Sequence, residues 1–251
     1  MAADGARVIE APDVGGLDRG AAIAALRRSM ARIGAAPVGG FGDAAAADAA
    51  MPGARALPVP EGLEDVLGGC VVRGAVTSVE VAGMVVAGLV ATVTAGGGHA
   101  ALVGLPELMA APVAECGGDL SRILIVAEPG PSPLEILGAL ADGVDLVVAA
   151  LPRTPPPSLE RPLLARLRRS GAALVHVGEP WPGAVASVTS HVAAVHGLGS
   201  GYGRIRAVEY TVAAERPGLA PRHGTWIVGD ADAVPAAAAP AADVVPLRRA
   251  R

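Results

Sequence analysis

The stretch Gly83–Met84–Val85–Val86–Ala87–Gly88 has the GxxxxG spacing of a phosphate-binding loop. In such a loop the next two residues are Lys and Ser/Thr. The ammonium reaches the β- and γ-phosphates and the hydroxyl holds magnesium. Here they are Leu89 and Val90, which can do neither, so the spacing predicts a helix whose small residues permit close packing. A second glycine-rich run, Gly197–Leu198–Gly199–Ser200–Gly201–Tyr202–Gly203, resembles a dinucleotide fingerprint only in composition. It lies between two strand-like segments rather than between a strand and a helix, so no helix N-terminus is available to meet a pyrophosphate. It is expected to be a hairpin turn.

Other chemistry-bearing residues are sparse. His176 ends an apolar run and is followed by Glu179, which could orient its imidazole, but no nucleophile accompanies them. Ser78, Ser187, Ser190 and Ser200 lie in no nucleophile elbow. His99, His176, His191, His196 and His223 form no metal-ligand spacing. Cys70 and Cys116 stand far apart without a CxxC pattern, so neither a disulfide framework nor a zinc site is expected, and a reducing cytoplasm fits. The expectation is no catalytic residue, no cofactor and no metal.

Composition narrows the classes further. Among 251 residues there is no Lys, Asn or Gln, and all 20 basic residues are Arg. Without a lysine amine, Schiff-base enzymes, pyridoxal-phosphate enzymes and a standard Walker A ATPase are excluded. A net charge of −4 disfavours autonomous binding of nucleic acid through its phosphates. No signal peptide is apparent in residues 1–16, and the apolar stretch Val81–Ala95 is shorter than the roughly 20 residues that span a bilayer. No membrane contact is expected.

These residues need elements to position them. Leu17, Ile23, Leu26, Met30 and Ile33 form an apolar stripe at helical spacing within residues 1–34, interleaved with Arg27, Arg28 and Arg32. This amphipathic helix packs either on a partner or back on its own core. Residues 35–59, rich in Ala, Gly and Pro, suggest a flexible linker. From Pro60 to Val177 short Val/Leu/Ile runs alternate with helix-length segments. Strands are expected at Ala75–Glu80, Ala100–Val103, Ile123–Val126, Val144–Ala149 and Ala173–Val177. Helices are expected at Gly83–Ala95, Pro106–Cys116, Pro131–Ala141 and Ser158–Arg169. That grammar demands a parallel sheet buried on both faces. Beyond Trp181, Val185–Val195 and Arg204–Val212 predict an antiparallel hairpin, with a last strand at Thr225–Val228. Residues 231–251 form an Ala/Pro-rich tail expected to be disordered.

From Leu67 to Val177 the order of elements resembles the core of the RecA-like ATPases. Val144–Asp145–Leu146–Val147–Val148 resembles their Walker B strand, and Gly117–Leu124 a helix-to-strand segment of the same family. The implied fold is α/β: a RecA-like core with a mostly parallel sheet flanked by helices, a C-terminal antiparallel hairpin, and the phosphate loop lost. The turn at Glu80–Gly83 is short, Ala150 occupies the Walker B acid position, and Leu105 falls near the catalytic glutamate position. With Gly104–Leu105–Pro106–Glu107–Leu108, Glu128–Pro129–Gly130–Pro131 and Trp181–Pro182–Gly183, residues 60–230 resemble the ImuA-prime proteins of actinobacteria. These are RecA-like accessory subunits of the translesion-synthesis mutasome.

That resemblance implies a non-catalytic partner of an inactive Y-family polymerase homologue (ImuB type) and of an error-prone DnaE-type polymerase, expressed after DNA damage. Contact with RecA and self-association remain open. Two readings compete with it: a SulA-like RecA-fold inhibitor of cell division, and an enzyme with an unrecognised site near His176 and Glu179. The residues offered for partner contact are Leu26, Arg27 and Arg28; Arg166, Arg168 and Arg169; Trp226; and Leu247, Arg248 and Arg249 in the tail. Arg161, Arg166, Arg168 and Arg169 share one basic face, and Arg204, Arg206, Arg216 and Arg222 surround the hairpin. Either cluster suits a solvated surface, a protein-docking patch or a weak nucleic-acid contact. Trp181 and Trp226 are equally suited to anchoring an interface or filling a core.

Overall fold

The computed structural model describes residues 9–10, 13–35, 56–105, 110–198 and 202–234. Helix α1 (Arg19–Arg32) opens on Asp18, whose side chain accepts hydrogen bonds from the N–H groups of Gly20 and Ala21 at 2.9 and 3.2 Å. Those are two of the donors a helix start leaves orphaned. After the short helix α2 (Glu64–Leu67), strands and helices alternate. They are β2 (Val76–Val79), α3 (Met84–Ala95), β3 (Ala100–Val103), α4 (Ala110–Glu115), β4 (Ile123–Val126), α5 (Pro133–Ala141), β5 (Leu146–Ala150), α6 (Pro157–Ser170) and β6 (Ala173–Val177). A two-residue strand β1 (Ile9–Glu10) precedes α1, and β7 (Ala186–Leu198), β8 (Gly203–Glu215) and β9 (Arg222–Gly229) follow β6.

The strands form one nine-stranded sheet in the order β1-β4-β3-β5-β6-β2-β7-β8-β9. Every pairing from β1 to β7 is parallel, and β8 alone runs against its two neighbours. This is the expected α/β architecture: a mostly parallel sheet, helices on both faces, and an antiparallel hairpin at its C-terminal edge.

The central strands are short because they are buried on both sides. In β5, Leu146 and Val148 join the core under α3, while Val147 and Ala149 join the core under α1, α5 and α6. Period-2 alternation of side chains divides each continuous apolar run between two cores.

The hairpin extends beyond its expected ends, to Leu198 and Glu215, and β9 begins at Arg222 rather than Thr225. A register shift between Val192 and Ala194 breaks the alternation that marks a strand in sequence. The ladder continues past it because backbone hydrogen bonds do not require a side-chain pattern.

Helix α1 folds back on the chain's own core, against α5. Its buried line is Ala22, Ala25, Leu26, Ser29 and Met30; Leu17, expected within the stripe, is exposed. A contact from His99 fixes the helix end: its Nε2 lies 2.8 Å from the Ile33 carbonyl oxygen. The linker expected at 35–59 lies mostly outside the described residues. Of its described positions, Ala35 and Leu57 are buried, and the Leu57 N–H donates to the Val71 carbonyl. The tail beyond Val234 also lies outside the described residues.

Candidate functional site

In a sheet of this kind a ligand sits outside the carboxyl ends of the strands, so the turn after β2 decides whether a phosphate can be held. Only Glu80, Val81, Ala82 and Gly83 separate β2 from α3. Gly83 is the N-cap of α3, and the rest of the GxxxxG run lies inside the helix. From Ala87 onward the N–H groups are used within it, starting with Ala87 N–H to the Gly83 carbonyl at 3.1 Å. Leu89 and Val90, where a lysine and a hydroxyl would act, are 1% and 0% exposed.

Gly88 has a different task. A Cβ there would stand 2.8 Å from Trp226 Cη2 and 2.9 Å from Pro60 Cγ. The second glycine of the apparent phosphate motif is therefore the seat of an indole ring.

The neighbouring strand ends are equally apolar. Leu105, after β3, is buried, and Ala150 closes β5. Gly104 adopts φ +64, and a Cβ on it would stand 2.6 Å from the Ala150 carbonyl oxygen. The backbone after β3 thus lies close against the end of β5, and only a residue without a side chain fits at Gly104.

His176 and Glu179 differ in their surroundings. His176 is buried, its ring edge-on to Trp181 at 5.1 Å, and neither ring nitrogen has a partner among the described residues. Burial holds its pKa below the ordinary histidine value, outweighing the raising effect of Glu179. Glu179 is exposed on the following loop. Trp181 is a core residue here, its N–H donating to Ser78 Oγ at 2.8 Å and its Nε1–H to Glu160 Oε1 at 2.6 Å. Both thiols have pKa values raised by burial, and among the described residues no cluster of His, Cys, Asp or Glu could hold a metal. No described helix is long and apolar enough to cross a membrane.

The residues expected to meet a partner separate into four groups. Two require correction. Leu26 is fully buried between α1 and the core, and Trp226, 8% exposed, packs on Gly88 and stacks obliquely with Tyr210 at 6.2 Å. Nothing in their types distinguished an interface anchor from a core residue; for Trp226 the unrecognised signal was Gly88, the space it fills.

Arg166 is half-buried and gives a two-pronged hydrogen-bonded pair with Asp142 of α5 through Nε (2.9 Å) and Nη2. That pairing raises its pKa and makes it first a tie between two helices. Arg27, Arg28, Arg168 and Arg169 are exposed. Leu247, Arg248 and Arg249 lie outside the described residues. Around the hairpin, Arg206 pairs with Asp230, and Arg222 donates to the carbonyls of Asp65 and Gly68.

Among the described residues, the segment after β2 lacks a lysine and a hydroxyl at the phosphate-loop positions, and the arginine-bearing helices α1 and α6 lie on one face of the apolar core. Residues 65–183 match the family model of the MT3502 N-terminal domain. That span runs from α2 to the turn before β7, and leaves out α1 and the hairpin. Among curated proteins, the chain is 36% identical over 132 residues to the uncharacterized protein Rv3395c of Mycobacterium tuberculosis. The match takes in 49% of this chain and 65% of that one. Among solved structures, a KaiC-like protein, PH0186, of Pyrococcus horikoshii is similar with a TM-score of 0.41 and 14% identity, over 69% of this chain and 98% of that chain.

Proposed function

We propose that this protein is a non-catalytic adaptor of an error-prone translesion-synthesis complex, of the ImuA-prime type, and that its core is RecA-like. It binds an inactive Y-family polymerase homologue (ImuB type) and through it supports a DnaE-type polymerase. The observation that carries the reading is the fate of the GxxxxG segment. It is threaded into α3, Gly88 is covered by Trp226, and the positions of the phosphate-binding lysine and hydroxyl are buried Leu and Val. The order of strands and helices, and the motifs around Gly104, Glu128 and Trp181, support the same family resemblance. A scaffold stripped of nucleotide chemistry but kept intact offers surfaces rather than catalysis.

The test is co-purification with the ImuB-type homologue of the same genome, using the full chain and a chain ending at Asp230. A complex with the full chain is the expected result. Its loss on truncation would place the contact in residues 231–251, and its survival would place it on the folded part. A folded protein that forms no complex in either form would overturn the adaptor reading.

A further inference from the structure

Helices α5 and α6 lie side by side on one face of the sheet, and a cleft of about 690 Å³ opens between their N-terminal ends and the loops that enter them. That size falls within the roughly 300–1,000 Å³ of ligand clefts. Its position follows from the strand order. Strand β3 lies between β4 and β5, but the chain leaving β3 enters α4, which packs with α3 on the other face. On this face, the segments leaving β4 and β5 have no helix from β3 between them.

The walls are built from Pro131, Pro133, Pro152, Pro155, Pro156 and Pro162. Proline fixes φ and has no N–H, so these walls are pre-formed and offer a ligand few backbone donors. Leu159, 57% exposed, and the half-buried Leu134 and Leu151 supply apolar surface.

The charged donors are Arg19, Arg153 and Arg166, against the single carboxylate of Glu135. Arg19 Nε is 2.7 Å from Glu135 Oε2, but off line for a hydrogen bond. Arg166 is seated by the missing side chain of Gly138, where a Cβ would stand 3.1 Å from its Nη1. Its Nε and Nη2 serve Asp142, leaving Nη1 without an acceptor among the described residues. Arg153 is exposed and has no carboxylate partner among the described residues. Glu135 meets the charge of Arg19 and Asp142 that of Arg166, so in a chain of net charge −4 the cleft carries a net positive charge of one, that of Arg153, with Arg166 Nη1 as a further donor.

We infer that this cleft is a docking groove for a short acidic segment of a partner protein, one carrying a large apolar side chain beside an Asp or Glu. The apolar side chain fills the proline–leucine trough while the carboxylate meets the Arg153 and Arg166 guanidinium groups. Single-stranded nucleic acid is disfavoured because no aromatic side chain lines the cleft, and base-stacking platforms depend on them. The inference deepens the adaptor reading and rests on it for the existence of a partner.

A display selection of random 12-residue peptides on the purified full chain tests it, with binding of the enriched peptides then measured to R153E and L159D. Both altered side chains are exposed, so the fold is retained, as a thermal melt verifies. Enriched peptides should pair an aromatic or large aliphatic residue with Asp or Glu, and both variants should weaken them at least tenfold. No enrichment, enrichment without acidic residues, or undiminished binding to the variants would overturn the groove. The same variants in the co-purification experiment separate the two readings. A polymerase-homologue complex that survives them, with peptide binding lost, leaves the adaptor reading intact but overturns the groove as its contact. Peptide binding without any such complex retains the groove and removes the adaptor reading.

Discussion

At single residues, the structure turns motif-like positions into packing positions, and each has a measurable cost. Gly88→Val places branched carbon where Trp226 Cη2 would stand 2.8 Å from a Cβ. The indole has little room to retreat, because it is buried beside Gly62 and Tyr210. Overpacking of this kind costs about 1–3 kcal/mol, and a urea titration should register it as a lower midpoint with unchanged slope. His176 makes a pH-dependent contribution. It is buried, no hydrogen bond to either ring nitrogen is formed among the described residues, and its folded pKa is lowered, chiefly by desolvation, against a smaller raising effect of Glu179. The unfolded chain therefore binds the proton more readily. Stability is fully present above the ordinary histidine pKa of about 6.5 and falls as the pH drops below it toward the folded value. Comparing urea midpoints at pH 7.5 and 5.5 should show a smaller acid loss in His176→Leu than in the wild type. Equal losses would mean that other groups carry the whole effect.

At the level of elements, β3, β4 and β5 were legible because each is a run of four or five Val, Leu, Ile or Ala residues between breakers, a pattern that suits a doubly buried parallel strand. Helix α1 was legible as a helix but not in its orientation. Leu17 and Leu26 look alike in a hydrophobic stripe, yet one is exposed and the other fully buried. Close approach to α5 selects the small side chains of Ala22, Ala25 and Ser29, which a scale of hydrophobicity ranks below Leu and Ile. For the same reason Leu26 was expected at a partner surface and is instead part of the core. The helix start carries its own prediction. Asp18 caps two N–H groups of α1, so Asp18→Ala should lower stability by about 1 kcal/mol. Hydrogen exchange should show the loss concentrated in the first turn of α1, with the protection of α5 largely preserved.

Across the whole molecule, the GxxxxG segment is a packing element by its backbone as well as by its side chains. Leu89 and Val90, which break the phosphate-loop pattern, were visible in the sequence. The helix was visible too, but not that its second glycine lies under a tryptophan and that Leu89 after it faces the core. The arginine-rich face was legible as composition, but not the pairing of Arg166 with Asp142, which depends on two helices meeting. These two accounts of the lost site differ in what repair would do. If only side chains were missing, the double variant Leu89→Lys, Val90→Thr would regain affinity for ATP and magnesium. In this fold it should not. Leu89 lies among the buried residues beneath the sheet, where an ammonium has no partner and burial of an unpaired charge costs several kcal/mol. Calorimetry with ATP and magnesium should give no binding heat for the wild type or for the repaired chain, and the repaired chain should melt at a markedly lower temperature. Saturable binding heat from a stable double variant would mean that α3 can unwind into a phosphate loop, and the scaffold would then be a dormant ATPase.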